Sequence, residues 1–148
     1  MILLDTDCIS LLQRENALVG SNLQRNLDRF SHDEICTSIV SFEEQMRGWL
    51  SLVSKSRTPD QQIFAYSRLH DALKDYKNST VLDFDDKAAK VFVQLKSKKI
   101  RVGTMDMKIA AIALANNAIL ISRNLVDFER VPNLSVEDWT QPNSARPN

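Results

Sequence analysis

The chain opens Met1-Ile2-Leu3-Leu4-Asp5. An apolar run that stops on an acid has no polar face to offer water. It reads as a strand covered on both sides, the habit of a parallel sheet lying between helix layers. Asp5 to Leu12 then turns into a first helix. Working outward, Asn16 to Phe30 carries Leu18, Val19, Leu23, Leu27 and Phe30 at helical spacing. Ile35-Cys36-Thr37 reads as a second strand. Ser38 or Ser41 can cap a helix with apolar positions Phe42, Met46, Trp49, Leu50 and Val53. Thr58-Pro59 supplies a cap and a first-turn proline for a helix whose apolar positions are Ile63, Tyr66, Leu69, Leu73 and Tyr76. Thr80 to Leu82 is a third strand, and Asp85 to Lys98 is a helix with Ala88, Val91, Phe92 and Leu95 on one stripe. Thr104 is the expected cap of a further helix ending at Asn116-Asn117. Ala118 to Ile121 is a fourth strand, and Leu134-Ser135-Val136 a fifth. Strands alternating with helices predict an α/β fold: a three-layer α/β/α sandwich with a mostly parallel sheet of four to five strands.

Composition bounds the rest. The 148 residues suit one domain, expected over 1–139, with a flexible polar tail over 140–148. The chain is 43% hydrophobic and 26% charged with 3 Gly and 4 Pro, which excludes disordered and low-complexity classes. Cys8 and Cys36 make neither a disulfide framework nor a zinc pattern. The N-terminus lacks the basic and long apolar regions of a signal peptide, and the longest apolar run, Ile109 to Ala115, is too short for a membrane span. The expectation is a cytoplasmic protein with no membrane contact. Nineteen basic residues balance 19 acidic ones. A phosphate-bearing partner would therefore need a local basic patch or a metal ion.

Several acids fall where strands end. Asp5 follows the first strand and Ser122-Arg123-Asn124 follows the fourth. Glu43 and Glu44 lie early in the helix after the second strand, and Asp106 lies two residues past Thr104. Ligand sites in open parallel sheets sit at these carboxyl ends. Carboxylates gathered there repel one another unless some are protonated or a cation lies between them. A hard divalent cation such as Mg²⁺ or Mn²⁺ takes oxygen ligands, bridges to phosphates and activates water. Each acid also has a plainer duty. Asp106 can serve a helix dipole, Asp5 an N-cap, and one of Glu43 and Glu44 is surface charge.

These same residues carry a family resemblance. Ile2-Leu3-Leu4-Asp5-Thr6-Asp7-Cys8-Ile9-Ser10 resembles the first motif of PIN-domain ribonucleases, particularly VapC-type toxins of bacterial toxin–antitoxin pairs. Thr37 to Gly48, Gly103 to Ala113, and Ile119 to Leu134 closing with Glu137-Asp138-Trp139 resemble the later motifs, in order. The resemblance implies a PIN-like fold and a Mg²⁺- or Mn²⁺-dependent endoribonuclease acting on structured RNA, tRNA or rRNA. It also implies a separate antitoxin as partner. It places Asp5, Glu44 (rather than Glu43) and Asp106 on the family's metal-binding acids. The fourth acidic position falls on Asn124, a departure that other toxin relatives share, and Asp127 is the alternative three residues on. Ser122 and Thr104 are similar to supporting hydroxyls.

Lys87, Lys90, Lys96, Lys98, Lys99 and Arg101 form a basic run without an acid, leading toward Asp106. Lys98, Lys99 and Arg101, with Arg47 and Arg123, are candidate RNA contacts; a solvated helix face is the alternative. Arg47 and Arg123 can instead pair with acids. Phe42 and Met46 are expected in the core. Trp49 belongs to the core or, with the long helix pair around it, to a homodimer or antitoxin interface. His32 and His70 read as surface residues. Three other functions compete. Asp5-Thr6-Asp7 resembles the opening of haloacid-dehalogenase-type phosphatases, with Asp5 as nucleophile, Asp7 as acid and Asp85-Asp86 as the later pair. Asn124 leaves room for a non-catalytic PIN-like module that binds RNA or a partner. A receiver-type module lacks a lysine after a late strand.

Overall fold

The computed structural model describes residues 1–14 and 18–142. Its strands are β1 (Ile2–Leu4), β2 (Ile35–Ser38), β3 (Thr80–Leu82), β4 (Ile119–Ile121) and β5 (Val136–Glu137). They form one sheet in the order β3-β2-β1-β4-β5, with every pairing parallel. The opening strand is thus the middle of the sheet, which explains why all of its side chains are buried. Ile2 stands opposite Ile35 on one side and Ile119 on the other.

Alternation along the strands feeds two cores. Leu3, Cys36 and Leu120 point into one, closed by α5 (Asp86–Ser97) and α6 (Thr104–Ala115). Ile2, Leu4 and Ile121 point into the other, closed by α1 (Thr6–Gln13), α2 (Leu18–Leu27) and Trp139. These are the expected three layers. The apolar run in α6 is a core helix, with Ile109 to Ala113 buried.

Caps follow the sequence in most places. Asp5 caps α1, Ser38 caps α3 (Ile39–Lys55), Thr58 caps α4 (Pro59–Lys77) and Asp85 caps α5. Asp85 and Asp86 therefore begin a helix, as a phosphatase's acidic pair would not need to. One expected cap is corrected: the position before α6 is Gly103, without a side-chain bond, and Thr104 is the exposed first helical residue. The fifth strand lies one to two residues later than expected. Of the helix expected over 16–30, residues 16 and 17 lie outside the described residues. The helix stops at Leu27, and Phe30 beyond it stacks on Trp139 with ring centroids 5.1 Å apart.

Of the stripe expected inside α4, Tyr76 is buried and Leu69 half-buried, but the other three positions are turned outward. Ile63, Tyr66 and Leu73 are exposed, while Ala65, Ala72 and Tyr76 are buried. Helices α3 and α4 meet at Tyr76, whose ring packs edge-on against Phe42 with centroids 5.0 Å apart and whose hydroxyl donates to Gln45. Phe42 and Met46 are half-buried beside this pair rather than in either core. Trp49 is also half-buried.

The C-terminal strap is tied down by buried amides on α2. Asn22 donates to the Thr140 carbonyl at 3.1 Å, and Asn26 to those of Trp139 and Gln141 at 2.8 and 3.3 Å. Thr140, at the start of the expected tail, is buried. Residues 143–148 of that tail lie outside the described residues.

Candidate active site

The chain runs from β1 outward to β2 and β3, then returns to the far side of β1 for β4 and β5. The order therefore switches direction between β1 and β4, where open α/β sheets form their crevice. Asp5 ends β1, and Ser122 ends β4. Their strands are held together by the Asp5 N–H donating to the Ile121 carbonyl at 3.1 Å.

Asp5 is 6% exposed, and its Oδ1 accepts from the Cys8 N–H at 2.7 Å. Burial pushes its carboxyl above the usual range. Hydrogen bonds from Ser122 and Cys8 oppose that rise, and the charge of Asp7 adds to it. Ser122 is wholly buried, and its Oγ accepts from the Asn124 N–H at 3.0 Å. Glu44 lies on α3, on the side of the helix that faces α1. There the Thr6 hydroxyl donates to its Oε1 at 2.7 Å. Glu43 instead turns to solvent and pairs with Arg47 one turn on.

Asp106 sits in the first turn of α6, half-buried. Its carboxyl is raised first by burial and then by the charges of Glu44, Asp5 and Asp127, while Asn124 opposes the rise. Asn124 precedes the short helix α7 (Leu125–Phe128). Its Nδ2 donates to Asp127 Oδ2 at 2.9 Å and reaches Asp106 Oδ2 at 3.5 Å. The acid and the amide at the two alternatives for the fourth position are thus bonded to each other.

The fold therefore brings Asp5, Glu44, Asp106, Ser122, Asn124 and Asp127 to one edge. Among the described residues, no ion pair reaches Asp5, Glu44 or Asp106. No group of three acids, histidines or cysteines there is already gathered as a finished cation site. The carboxylates feel one another's charge without sharing a centre.

The basic candidates divide. Lys98, Lys99 and Arg101 are exposed on the loop between α5 and α6 that leads to Asp106. Arg123 is held by Asp7 through two bonds, Nε to Oδ2 at 2.7 Å and Nη2 to Oδ1 at 2.9 Å. His32 and His70 are exposed. Thr6 went unread from the sequence. Its place next to Asp5 was the available signal, but its partner lies 38 positions away.

A central parallel strand ending in a buried Asp, with acids from α3, α6 and α7 around it, is the architecture of a PIN domain. The PIN domain family model matches residues 2–134, and the chain belongs to that family. Within it, the chain groups with VapC proteins. It is 31% identical over 120 residues to "Ribonuclease VapC2" of Haemophilus influenzae, covering 76% of this chain and 83% of that one. It is 27% identical over 142 residues to "tRNA(fMet)-specific endonuclease VapC" of Salmonella typhimurium, covering 93% and 96%. Among solved structures, VapBC2 from Rickettsia felis bound to a promoter DNA fragment superposes with a TM-score of 0.70 at 27% identity, covering 94% and 99%. DNA-bound VapBC from Salmonella typhimurium gives 0.70 at 26%, with the same coverage. Among the described residues, no helix is long and apolar enough to cross a membrane.

Proposed function

We propose that this protein is a Mg²⁺- or Mn²⁺-dependent endoribonuclease, the toxin of a toxin–antitoxin pair, cleaving structured RNA such as tRNA or rRNA in the cytoplasm. One observation carries the reading: buried Asp5 and half-buried Asp106 feel each other's charge and that of Glu44, without a basic side chain to balance them. Such an arrangement is costly unless protons or a cation compensate it. The donors are all carboxylate oxygens, which suit a hard divalent ion. Asp5, Glu44 and Asp106 would hold it.

When bound, such an ion supplies an activated water and offsets charge on the phosphodiester as it breaks. The protein's own groups do the positioning. The Cys8 amide and Ser122 hydroxyl aim Asp5, the Thr6 hydroxyl aims Glu44, and the Asn124 amide spans Asp106 and Asp127. Lys98, Lys99 and Arg101 offer the phosphate contacts that a net charge of zero conceals. Thr104, exposed at the start of α6, is a supporting hydroxyl for the incoming strand. The antitoxin is a separate chain, and the toxin pairs with a second copy of itself. The exposed Leu50, Ile63, Tyr66 and Leu73 on α3 and α4 support a protein partner there.

The test is cleavage of total cellular RNA by the purified protein. Activity is expected with Mn²⁺, none with EDTA, and none from Asp5→Asn in either condition. Full activity of Asp5→Asn, or equal activity in EDTA, sinks the reading.

A further inference from the structure

We propose that Arg130 is a positioning residue that holds the basic loop 98–103 in register with the carboxylate cluster; this rests on the endoribonuclease reading. Arg130 stands just past α7. Its Nη1 donates to the Arg101 carbonyl at 2.9 Å and lies 3.3 Å from Asp127 Oδ1. The other Asp127 oxygen accepts from Asn124, whose amide also reaches Asp106. One guanidinium nitrogen therefore touches the backbone of the loop that carries Lys98, Lys99 and Arg101. It also touches the acid that steadies Asn124 against Asp106.

Ile100 and Val102 seat the loop against the core, and Arg130 adds a tie on the side of the carboxylates. Lys99 has φ 53°, in the left-handed region that a lysine seldom adopts. Within the loop, the Val102 N–H donates to the Ile100 carbonyl at 3.0 Å. That bond shapes the loop without anchoring it to the site. Arg130 reaches it from 29 residues away in sequence. The pair with Asp127 is exposed, with side chains 47% and 36% accessible, so it contributes little to folding. Its bridging place, with the one nitrogen Nη1 shared between the Arg101 carbonyl and the Asp127 carboxylate, is the better account, and a lysine ammonium supplies a donor of the same kind.

Arg130 acts on both arms of turnover, so the experiment separates KM from kcat. The substrate is RNA that the wild type cleaves with Mn²⁺, and binding of the same RNA is measured in EDTA. Arg130→Ala is expected to lower kcat/KM about tenfold. KM rises as the loop loosens and kcat falls as Asn124 loosens. RNA binding in EDTA weakens several-fold, and the melting temperature stays within a few degrees. Arg130→Lys, which keeps a charged donor, recovers most of both constants. Unchanged KM and kcat in Arg130→Ala, or no recovery in Arg130→Lys, overturns the proposal. If the wild type cleaves no RNA, the nuclease reading fails on its own. The EDTA binding comparison then decides the loop tie, with unchanged binding overturning it.

Discussion

Asp7 and Arg123, 116 positions apart, meet in a two-bond ion pair beside the carboxylate cluster. The pair occupies an arginine that a phosphate would otherwise attract. It also keeps a further acid close enough to Asp5 to raise its carboxyl.

Breaking this pair from the acid side should release Arg123. In Asp7→Asn, KM for RNA is expected to fall severalfold. Because both side chains are more than two-fifths exposed, stability should change by about 1 kcal/mol or less. A raised KM would mean that the pair, and not the free arginine, is what RNA meets.

Asp106→Asn keeps the shape and removes the charge. Activity is expected to fall about a hundredfold or more, as for loss of one electrostatic element of a catalytic site. Stability of the metal-free protein is expected to rise by about 1 kcal/mol, because a carboxylate crowded by like charges is gone. Urea unfolding with and without EDTA checks the second half; a clear loss of stability would contradict it.

The raised carboxyls of Asp5 and Asp106 predict a pH trend of definite sign. In the unfolded chain both ionise near 3.8; in the folded protein they hold protons to higher pH. Between those limits the native state binds more protons than the unfolded one, so stability falls as pH rises. The stabilising contribution is full below 3.8 and lost as pH passes the raised folded-state values. Added Mn²⁺ should flatten the fall, since a cation favours the ionised forms. Denaturation curves from pH 3.5 upward on wild type and Asp5→Asn test this, and identical slopes would refute the assignment.

Tyr76 and Leu73 make a matched pair of controls on α4. Tyr76 is buried and donates to Gln45 Oε1 at 3.0 Å, so Tyr76→Phe should cost about 1–2 kcal/mol by leaving that acceptor short of a donor. Leu73 is exposed, so Leu73→Ser should stay within about 0.5 kcal/mol despite removing a large apolar group. A loss from Leu73→Ser as large as that from Tyr76→Phe, measured by thermal or urea melts, would restore the inward place expected for Leu73.

The fold was legible where burial is two-sided. Ile2-Leu3-Leu4 has no polar position, and it proved to be the central strand. Asp5 was legible for the same reason, as the first group able to face the crevice. On α4, periodicity selected Ile63, Tyr66 and Leu73 because they are large and apolar. Burial instead selected Ala65 and Ala72, which carry almost no pattern signal, along with Tyr76 of the expected stripe. Gly103 in place of Thr104 at the head of α6 shows the same limit. Residue preference named a cap that the backbone did not use. Within the site, the roles of Thr6 and Arg130 depend on partners 38 and 29 residues away, which no local spacing records.

The central place of β1 also governs when the protein is ready. β1 precedes β2 and β4 in the chain yet lies between them, and the Asp5 N–H finds its acceptor only at Ile121. α2 in turn waits for the carbonyls of Trp139 to Gln141. During synthesis, which proceeds from the N-terminal side, the crevice cannot close until β4 has followed β1 off the ribosome. A product that stops short of β4 lacks the second wall of its own site.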